Sequence, residues 1–327
     1  MTVKGLLYTN PLTRREMLRN SALVAAALAV PSTLSACSRD EVIPADADTD
    51  PARATQTSED LQRLAAWTAA LRTEGLAATD VPLGRSATRV GELAIGTPYE
   101  AFTLEAYIRA GGSPSRTEPL TLSLTRFDCV SLVEACLAVS RIADDAGAPD
   151  WGAFGREMER MRYRDGQRGG YTSRLHYFSE WISDGEKRGL IRDLGAQLGG
   201  EEDRRPLRFM TEHRGSYPAL ADDGVFAQIG EMERSLDAQP RRVIPTGKIA
   251  TVSDQLESGD VLAFATSIPG LDVSHAAFAY RDGEGVLRVL HAPLSGGAVE
   301  VTRSTLPEYV AAIRRSTGIL VARPLRA

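Results

Sequence analysis

Apolar residues recur at helical intervals in the first half of the chain and in unbroken or alternating runs in the second. After Thr57-Ser58-Glu59-Asp60, a polar opening suited to a helix start, Leu61, Leu64, Trp67 and Leu71 return every three or four residues. That is the spacing of one buried helical face. Between residues 129 and 141 only Ser131, Glu134, Ser140 and Arg141 are polar, so the segment predicts a helix buried on nearly every side. Residues 151–161 and 178–188 read as further helices. Residues 93–99 read as a turn about Gly96 and Pro98, and residues 120–124 alternate like a short extended piece.

Past Gly259-Asp260 the character changes. Val261-Leu262-Ala263-Phe264-Ala265 is a continuous apolar run of buried-strand length. Residues 274–280 and 286–292 are strand-like and flank Arg281-Asp282-Gly283-Glu284-Gly285, a hairpin signal, and residues 319–322 suit a last strand. Helices first and an antiparallel sheet later predict an α+β fold rather than alternating α/β. No repeat of fixed period interrupts this order.

The first 37 residues read as an address. Thr13-Arg14-Arg15-Glu16-Met17-Leu18-Arg19 precedes an apolar run over 22–30, then Pro31-Ser32-Thr33-Leu34-Ser35-Ala36-Cys37. A basic start, a short apolar core and small residues before a break make an export signal. The run is about half the ~20 residues a spanning helix needs. The paired arginines resemble a twin-arginine signal, and Leu34-Ser35-Ala36-Cys37 resembles a lipobox, whose cysteine is diacylated and becomes the mature N-terminus. Four matching positions favour this over a plain cleavable signal with an incidental cysteine. Ser38 after the cysteine resembles sorting to the outer membrane. The expectation is a periplasm-facing lipoprotein anchored in the membrane through Cys37. Residues 38–57, rich in Asp, Ala, Thr and Arg with two prolines, predict a flexible linker, and residues 58–327 a single catalytic domain.

Composition narrows the classes. The 327 residues are 43% hydrophobic and 25% charged, which is ordinary globular chemistry and excludes disordered, collagen-like and disulfide-scaffold readings. The formal charge is −5; Lys4, Arg14, Arg15 and Arg19 against Glu16 make the first 37 residues +3, so the remainder carries −8. An acidic body without a basic stripe excludes nucleic acid as a partner. Nothing in the pattern points to an obligate protein partner.

Three cysteines carry the candidate chemistry. Cys129 and Cys136 lie seven apart on one predicted helix, about 10 Å along its axis, beyond the ~7 Å a disulfide permits. A free thiol in an exported protein asks for a reason, and nucleophilic catalysis is one. Asp128-Cys129 opens the buried helix, where the peptide dipoles are expected to lower the thiol pKa. A base must come from His176, His213, His275 or His291, the four histidines present. A hairpin symmetric about Gly283 sets His275 directly opposite His291 on one face. One imidazole then takes the Cys129 proton while the other fixes its tautomer. A two-residue Asp282-Gly283 loop would instead throw His291 to the other face.

Blander readings apply elsewhere. Cys136 reads as core filler, His213 as a solvated loop residue, Trp151 and Tyr163 as core, and Asp128 as an N-cap or a substrate contact. Two histidines, a cysteine and an aspartate can hold zinc, but no CxxC, HxxxH or HExxH spacing occurs. No metal and no cofactor are expected.

Phe127-Asp128-Cys129-Val130-Ser131-Leu132-Val133-Glu134, Gly259-Asp260-Val261, Ser274-His275-Ala276-Ala277 and Leu290-His291-Ala292 together resemble the NlpC-type papain-like cell-wall cysteine hydrolases. Ile95-Gly96-Thr97-Pro98-Tyr99 with Thr103-Leu104-Glu105, the run Ser173-Arg174-Leu175-His176-Tyr177-Phe178-Ser179-Glu180-Trp181, and Phe209-Met210-Thr211 resemble one branch of these, the N-acetylmuramoyl-L-alanine-amidase-like family. The resemblance runs from about Leu93 to the C-terminus. It implies a papain-like fold with Cys129 as nucleophile, His275 as base and His291 as the orienting third member. It also implies Tyr99 beside the nucleophile, helping the Cys129 backbone N–H hold an oxyanion, and a substrate groove along Arg174, His176 and Trp181. Phe102 and Pro293 depart from the pattern, which has a small residue and a serine there. The implied substrate is peptidoglycan or a muropeptide, cut between N-acetylmuramic acid and L-alanine. The rival bond joins D-glutamate to the diamino acid. A non-catalytic peptidoglycan-binding lipoprotein and an acyltransferase on the same scaffold are the readings of other classes.

Overall fold

The computed structural model describes residues 57–326, except 145, 146, 295 and 296. The signal read over 1–37, its Cys37, and the linker up to residue 56 lie outside the described residues.

The first helix, Ser58–Thr73, opens on a capping box. The Asp60 N–H donates to Thr57 Oγ1 at 3.1 Å and the Thr57 N–H donates to Asp60 Oδ2 at 3.0 Å. Leu64, Trp67 and Leu71 are buried, while Leu61 stays 41% exposed, so the apolar stripe is narrower than its spacing suggested. Residues 120–124 depart from expectation. Leu120, Leu122 and Leu124 are buried, but no strand forms. Their backbone groups are taken by side chains instead: Leu124 N–H donates to Asp60 Oδ1 (2.7 Å), Leu124 O accepts from Arg63 (3.0 Å) and Thr121 O from Arg162 (2.7 Å).

Helices Leu83–Leu93, Cys129–Ile142, Trp151–Arg162 and Phe178–Lys187 follow. Then comes an eight-stranded antiparallel sheet: β1 (Ile191–Asp193), β2 (Glu201–Asp203), β3 (Arg241–Pro245), β4 (Val261–Thr266), β5 (Val273–Arg281), β6 (Leu287–His291), β7 (Glu300–Val301) and β8 (Ser316–Pro324). The order is β2-β3-β8-β4-β5-β6-β7, with β1 also pairing β8. This is the α+β arrangement expected.

β4 is buried throughout, and apolar from Val261 to Ala265, because both of its faces are covered. Val261, Ala263 and Ala265, with Ala276 and Phe278 of β5, pack on the core that holds the Cys129–Ile142 helix. Leu262 and Phe264, with Ala277 and Ala279, pack against Ile249 and against Leu306 and Val310 of the helix Leu306–Ala312. A third apolar cluster joins Tyr171, Tyr177 and Met210 to Ile229 and Leu236 of the helix Asp223–Leu236. Where β4 begins, Gly259 adopts φ +89°, and a Cβ there would stand 2.0 Å from the Gly84 carbonyl oxygen. The Leu83–Leu93 helix lies that close to the sheet.

Candidate active site

Cys129 owes its position to a cap and a clasp. Asp128 caps its helix: Ser131 N–H donates to Asp128 Oδ1 at 2.7 Å, and Asp128 N–H donates to Ser131 Oγ at 2.9 Å. From Leu132 to Ile142 every residue of that helix is buried. Inside it, Glu134 pairs with Arg162 at 2.8 Å, both sequestered from solvent. Ahead of the cap, Phe127 N–H donates to Pro98 O (3.0 Å) and Glu100 N–H to Phe127 O (2.9 Å). The same turn is tied to the loop beyond His291, because Tyr99 N–H donates to Gly297 O at 2.8 Å. Tyr99 is thereby held beside the thiol, and burial, with the charges of Cys129 and Asp128, pushes its hydroxyl pKa up.

The two histidines come together on one face, but not as direct opposites. The hairpin pairs Phe278 with Leu290 and Ala279 with Val289, so it is symmetric about Glu284 rather than Gly283. The loop chemistry sets this register. Asp282 N–H donates to Val286 O (3.0 Å), the Asp282 carboxylate accepts from the Glu284 and Val286 N–H groups, and Gly285 turns at φ +79°. A two-residue displacement preserves the face, since strand side chains alternate with period two. His275 and His291 therefore meet on a diagonal, and His275 Nε2 lies 2.8 Å from His291 Nδ1 with the rings edge-on. Phe264 stacks on His275, with ring centroids 5.6 Å apart. When His275 Nε2–H donates to His291 Nδ1, His275 Nδ1 is left as a free acceptor and His291 carries its proton on Nε2.

The thiol is not the depressed one that its helix start predicted. Burial pushes Cys129 up to about 12, and the Asp128 carboxylate adds to this. The N–H groups of Cys129, Val130 and Ala276 at the sulfur oppose the rise without cancelling it. Burial also lowers His275 to about 3, with His291 contributing, and lowers His291 to about 4. Both shifts favour a thiol and a neutral imidazole as the resting pair at neutral pH. Sγ rests against the backbone of Ala276, next to His275, and no hydrogen bond joins it to the His275 ring.

The groove expected along Arg174, His176 and Trp181 is not an open one. Arg174 is buried, ion-paired with Glu105 and Glu118, and lies over the Tyr171 ring. Trp181 is buried and stacked on Phe178, with centroids 4.9 Å apart. His176 is half-buried, its Nε2 2.8 Å from Tyr171 O, and burial holds it well below its ordinary pKa. These residues are committed to partners that their own spacing could not reveal. Tyr177 and the Phe209–Glu212 helix meet at buried Glu233, which accepts from Tyr177 Oη (2.6 Å) and Met210 N–H (3.0 Å). The Phe178–Lys187 helix does steady the site, since Ser179 N–H donates to Asp272 at the foot of β5 (2.8 Å). The Asp128 carboxylate is occupied by its cap.

Cys136 lies in the core, and His213 is half-buried, stacked on Phe209 rather than freely solvated. Two neighbours of His291 escaped the sequence reading: Tyr309, whose Oη is 3.4 Å from Nδ1, and Glu300, whose Oε1 is 3.7 Å from Nε2. Only the pairing of β6 with β7 brings Glu300 there, and no motif announces it. Among the described residues no three His, Cys, Asp or Glu side chains stand together to hold a metal ion, and no helix is long and apolar enough to cross a membrane.

Residues 89–319 match the model of a family described as N-acetylmuramoyl-L-alanine amidase-like. No curated protein matches the chain. Among solved structures, an N-acetylmuramoyl-L-alanine amidase from Bacteroides uniformis is 30% identical, covers 74% of this chain and 99% of its own, and superposes with a TM-score of 0.66. A Bacteroides fragilis protein described as a candidate xylanase is 33% identical over 71% of this chain and 98% of its own, with a TM-score of 0.61. A Legionella pneumophila protein, 18% identical over 84% and 97%, shares the fold at a TM-score of 0.59.

Proposed function

Given that the chain belongs to the N-acetylmuramoyl-L-alanine amidase-like family, and so to the cell-wall hydrolases, we propose that it is a cysteine hydrolase of peptidoglycan or muropeptides that cuts the amide between N-acetylmuramic acid and L-alanine. The observation that carries this reading is the His275–His291 contact of 2.8 Å on the strand face beside Cys129. A glycosidase would need two carboxylates flanking the scissile bond; here Asp128 serves as a helix cap and Glu300 stands behind His291.

Because thiol and imidazole are both neutral at rest, proton transfer accompanies attack. Sγ swings from the Ala276 N–H towards the substrate carbonyl as its proton passes to His275 Nδ1. The S–C bond forms, and His275 protonates the departing L-alanine nitrogen as the C–N bond breaks. Water then attacks the thioester, giving its proton to His275, and the sulfur leaves and is reprotonated. The Cys129 backbone N–H and the Tyr99 hydroxyl stabilise the oxyanion in both halves. His291 accepts from His275 Nε2–H throughout, so the base keeps Nδ1 aimed at the sulfur. The protein acts from the outer membrane, facing the periplasm and held by lipid on Cys37 after export through its twin-arginine signal.

The test is a defined muropeptide with products read by mass spectrometry. Amidase action frees an intact stem peptide with a new N-terminal L-alanine. Release of the diamino acid end, with L-Ala-D-Glu left on the sugar, would replace the proposed bond by its rival. Cys129→Ala should abolish cleavage while the circular dichroism spectrum is retained; cleavage persisting in that variant overturns thiol catalysis.

A further inference from the structure

His291 is 1% exposed, and its Nε2 has no hydrogen-bond partner among the described residues. That orphan matters because of the other nitrogen. If Nδ1 accepts from His275 Nε2–H, the His291 proton must sit on Nε2, and a buried N–H left unpaired costs much of a hydrogen bond. The opposite tautomer would relieve that cost at Nε2. It would also set two N–H groups against each other across the 2.8 Å contact, or force the His275 proton onto Nδ1, where it blocks the base. Something has to favour Nε2–H.

Among the described residues, three other groups that can donate or accept a hydrogen bond face the ring. His275 lies on β5, Tyr309 Oη is 3.4 Å from Nδ1 on the helix Leu306–Ala312, and Glu300 stands directly opposite His291 in the β6–β7 ladder with Oε1 3.7 Å from Nε2. Tyr309 can donate to Nδ1, where it competes with His275 for one lone pair, but it does nothing for Nε2. Glu300 is the acceptor on the side where the proton is needed. Its side chain is 52% exposed and so has room for the small rotation that closes the remaining gap.

We propose that Glu300 is a positioning residue of the hydrolytic site, holding His291 in its Nε2–H tautomer and supporting the positive charge that reaches the histidine pair when His275 accepts the thiol proton. The inference rests on the cysteine-hydrolase reading. It adds a fourth member in line behind Cys129, His275 and His291, with no new bond to substrate. The chain of contacts also explains a piece of architecture. Glu300 lies just beyond Gly297 and Ala298, which brace the Tyr99 turn, so one short segment supports both flanks of the nucleophile.

The experiment compares full-length wild type with Glu300→Gln and Glu300→Ala by two readouts that need no substrate and one that does. Nitrogen-15 NMR of the imidazole rings should show His291 protonated at Nε2 in wild type and in Glu300→Gln, whose amide oxygen still accepts, and tautomer exchange in Glu300→Ala. Alkylation by iodoacetamide, followed on the peptide that contains Cys129 so that Cys37 and buried Cys136 do not contribute, should slow about threefold to fivefold in Glu300→Ala, the size a half-exposed charge can supply. With muropeptide, kcat should fall by a similar factor while KM stays within twofold. The acid limb of the kcat profile should move to lower pH, because removing a carboxylate disfavours imidazolium. A His291 proton on Nδ1 in wild type, or an alanine variant with unchanged tautomer and alkylation rate, overturns the proposal. If wild type cleaves no muropeptide, the hydrolase reading fails, and the two substrate-free readouts still decide the role of Glu300.

Discussion

Replacing Glu134 by leucine should destabilise the domain more than replacing Arg162 by methionine, although the two residues form one ion pair. Both side chains are almost wholly buried; Arg162 Nη2 and Nε lie 2.8 and 2.9 Å from Glu134 Oε2, and Arg162 Nη1 reaches Thr121 O at 2.7 Å. Glu134→Leu strands a guanidinium that cannot shed its proton, with a single neutral acceptor left. Breaking a buried pair this way costs about 3–5 kcal/mol, a large share of the ~5–15 kcal/mol that holds a domain together. At roughly 2–4 °C per kcal/mol, the melting temperature should fall by about 10 °C. Arg162→Met leaves a carboxylate that can escape by protonation, because burial already pushes Glu134 up. Its cost should therefore be smaller and should shrink further as pH falls. The double variant replaces both charges by apolar volume and should recover most of the loss, giving a coupling of about 2–4 kcal/mol in a double-mutant cycle. Thermal and urea unfolding of the full-length protein measure all four corners. Below its melting temperature the double variant should retain kcat, since the pair ties the Cys129–Ile142 helix to the Trp151–Arg162 helix and does not touch the Cys129 sulfur. A Glu134→Leu loss under 1 kcal/mol, or a double variant as unstable as the two singles combined, would refute the reasoning.

The alkylation rate of Cys129 should rise with an inflection above the ~8.5 of a free cysteine, as its upward-pushed pKa requires; fast alkylation at pH 6 would show a standing thiolate instead. Phe102 sits at φ +63° and is 53% exposed, so Phe102→Gly should raise stability by about 1 kcal/mol by relieving left-handed strain, and a lowered melting temperature would contradict that. Labelled palmitate should enter wild type but not Cys37→Ala, and Arg14→Lys with Arg15→Lys should block export; a mature N-terminus elsewhere without lipid would remove the anchor.

Local rules carried the reading far where cause and effect lie within a few residues. The Thr57/Asp60 and Asp128/Ser131 caps, the buried Cys129–Ile142 helix and the apolar run of β4 from Val261 to Ala265 follow from spacing and propensity alone. The shared face of His275 and His291 was also legible, because side chains alternate with period two and the two strand registers compared differ by an even step. The step itself belonged to the loop. Asp282 accepting two backbone N–H groups and Gly285 turning left-handed move the axis to Glu284 and make the contact diagonal.

What only the tertiary structure decided is which distant groups meet. By resemblance Arg174 reads as lining a substrate groove, but Glu105, 69 positions away, is found at its guanidinium. Residues 120–124 alternate like a strand, but their hydrogen bonds go to Asp60, Arg63 and Arg162, three side chains on two helices. Glu300 and Tyr309 reach His291 only because β7 pairs with β6 and the helix after it folds back over the sheet. The charge state of Cys129 is of this kind too. A helix start acts through a few neighbouring N–H groups, whereas desolvation sums everything packed around the sulfur, and that sum exists only once the chain has folded.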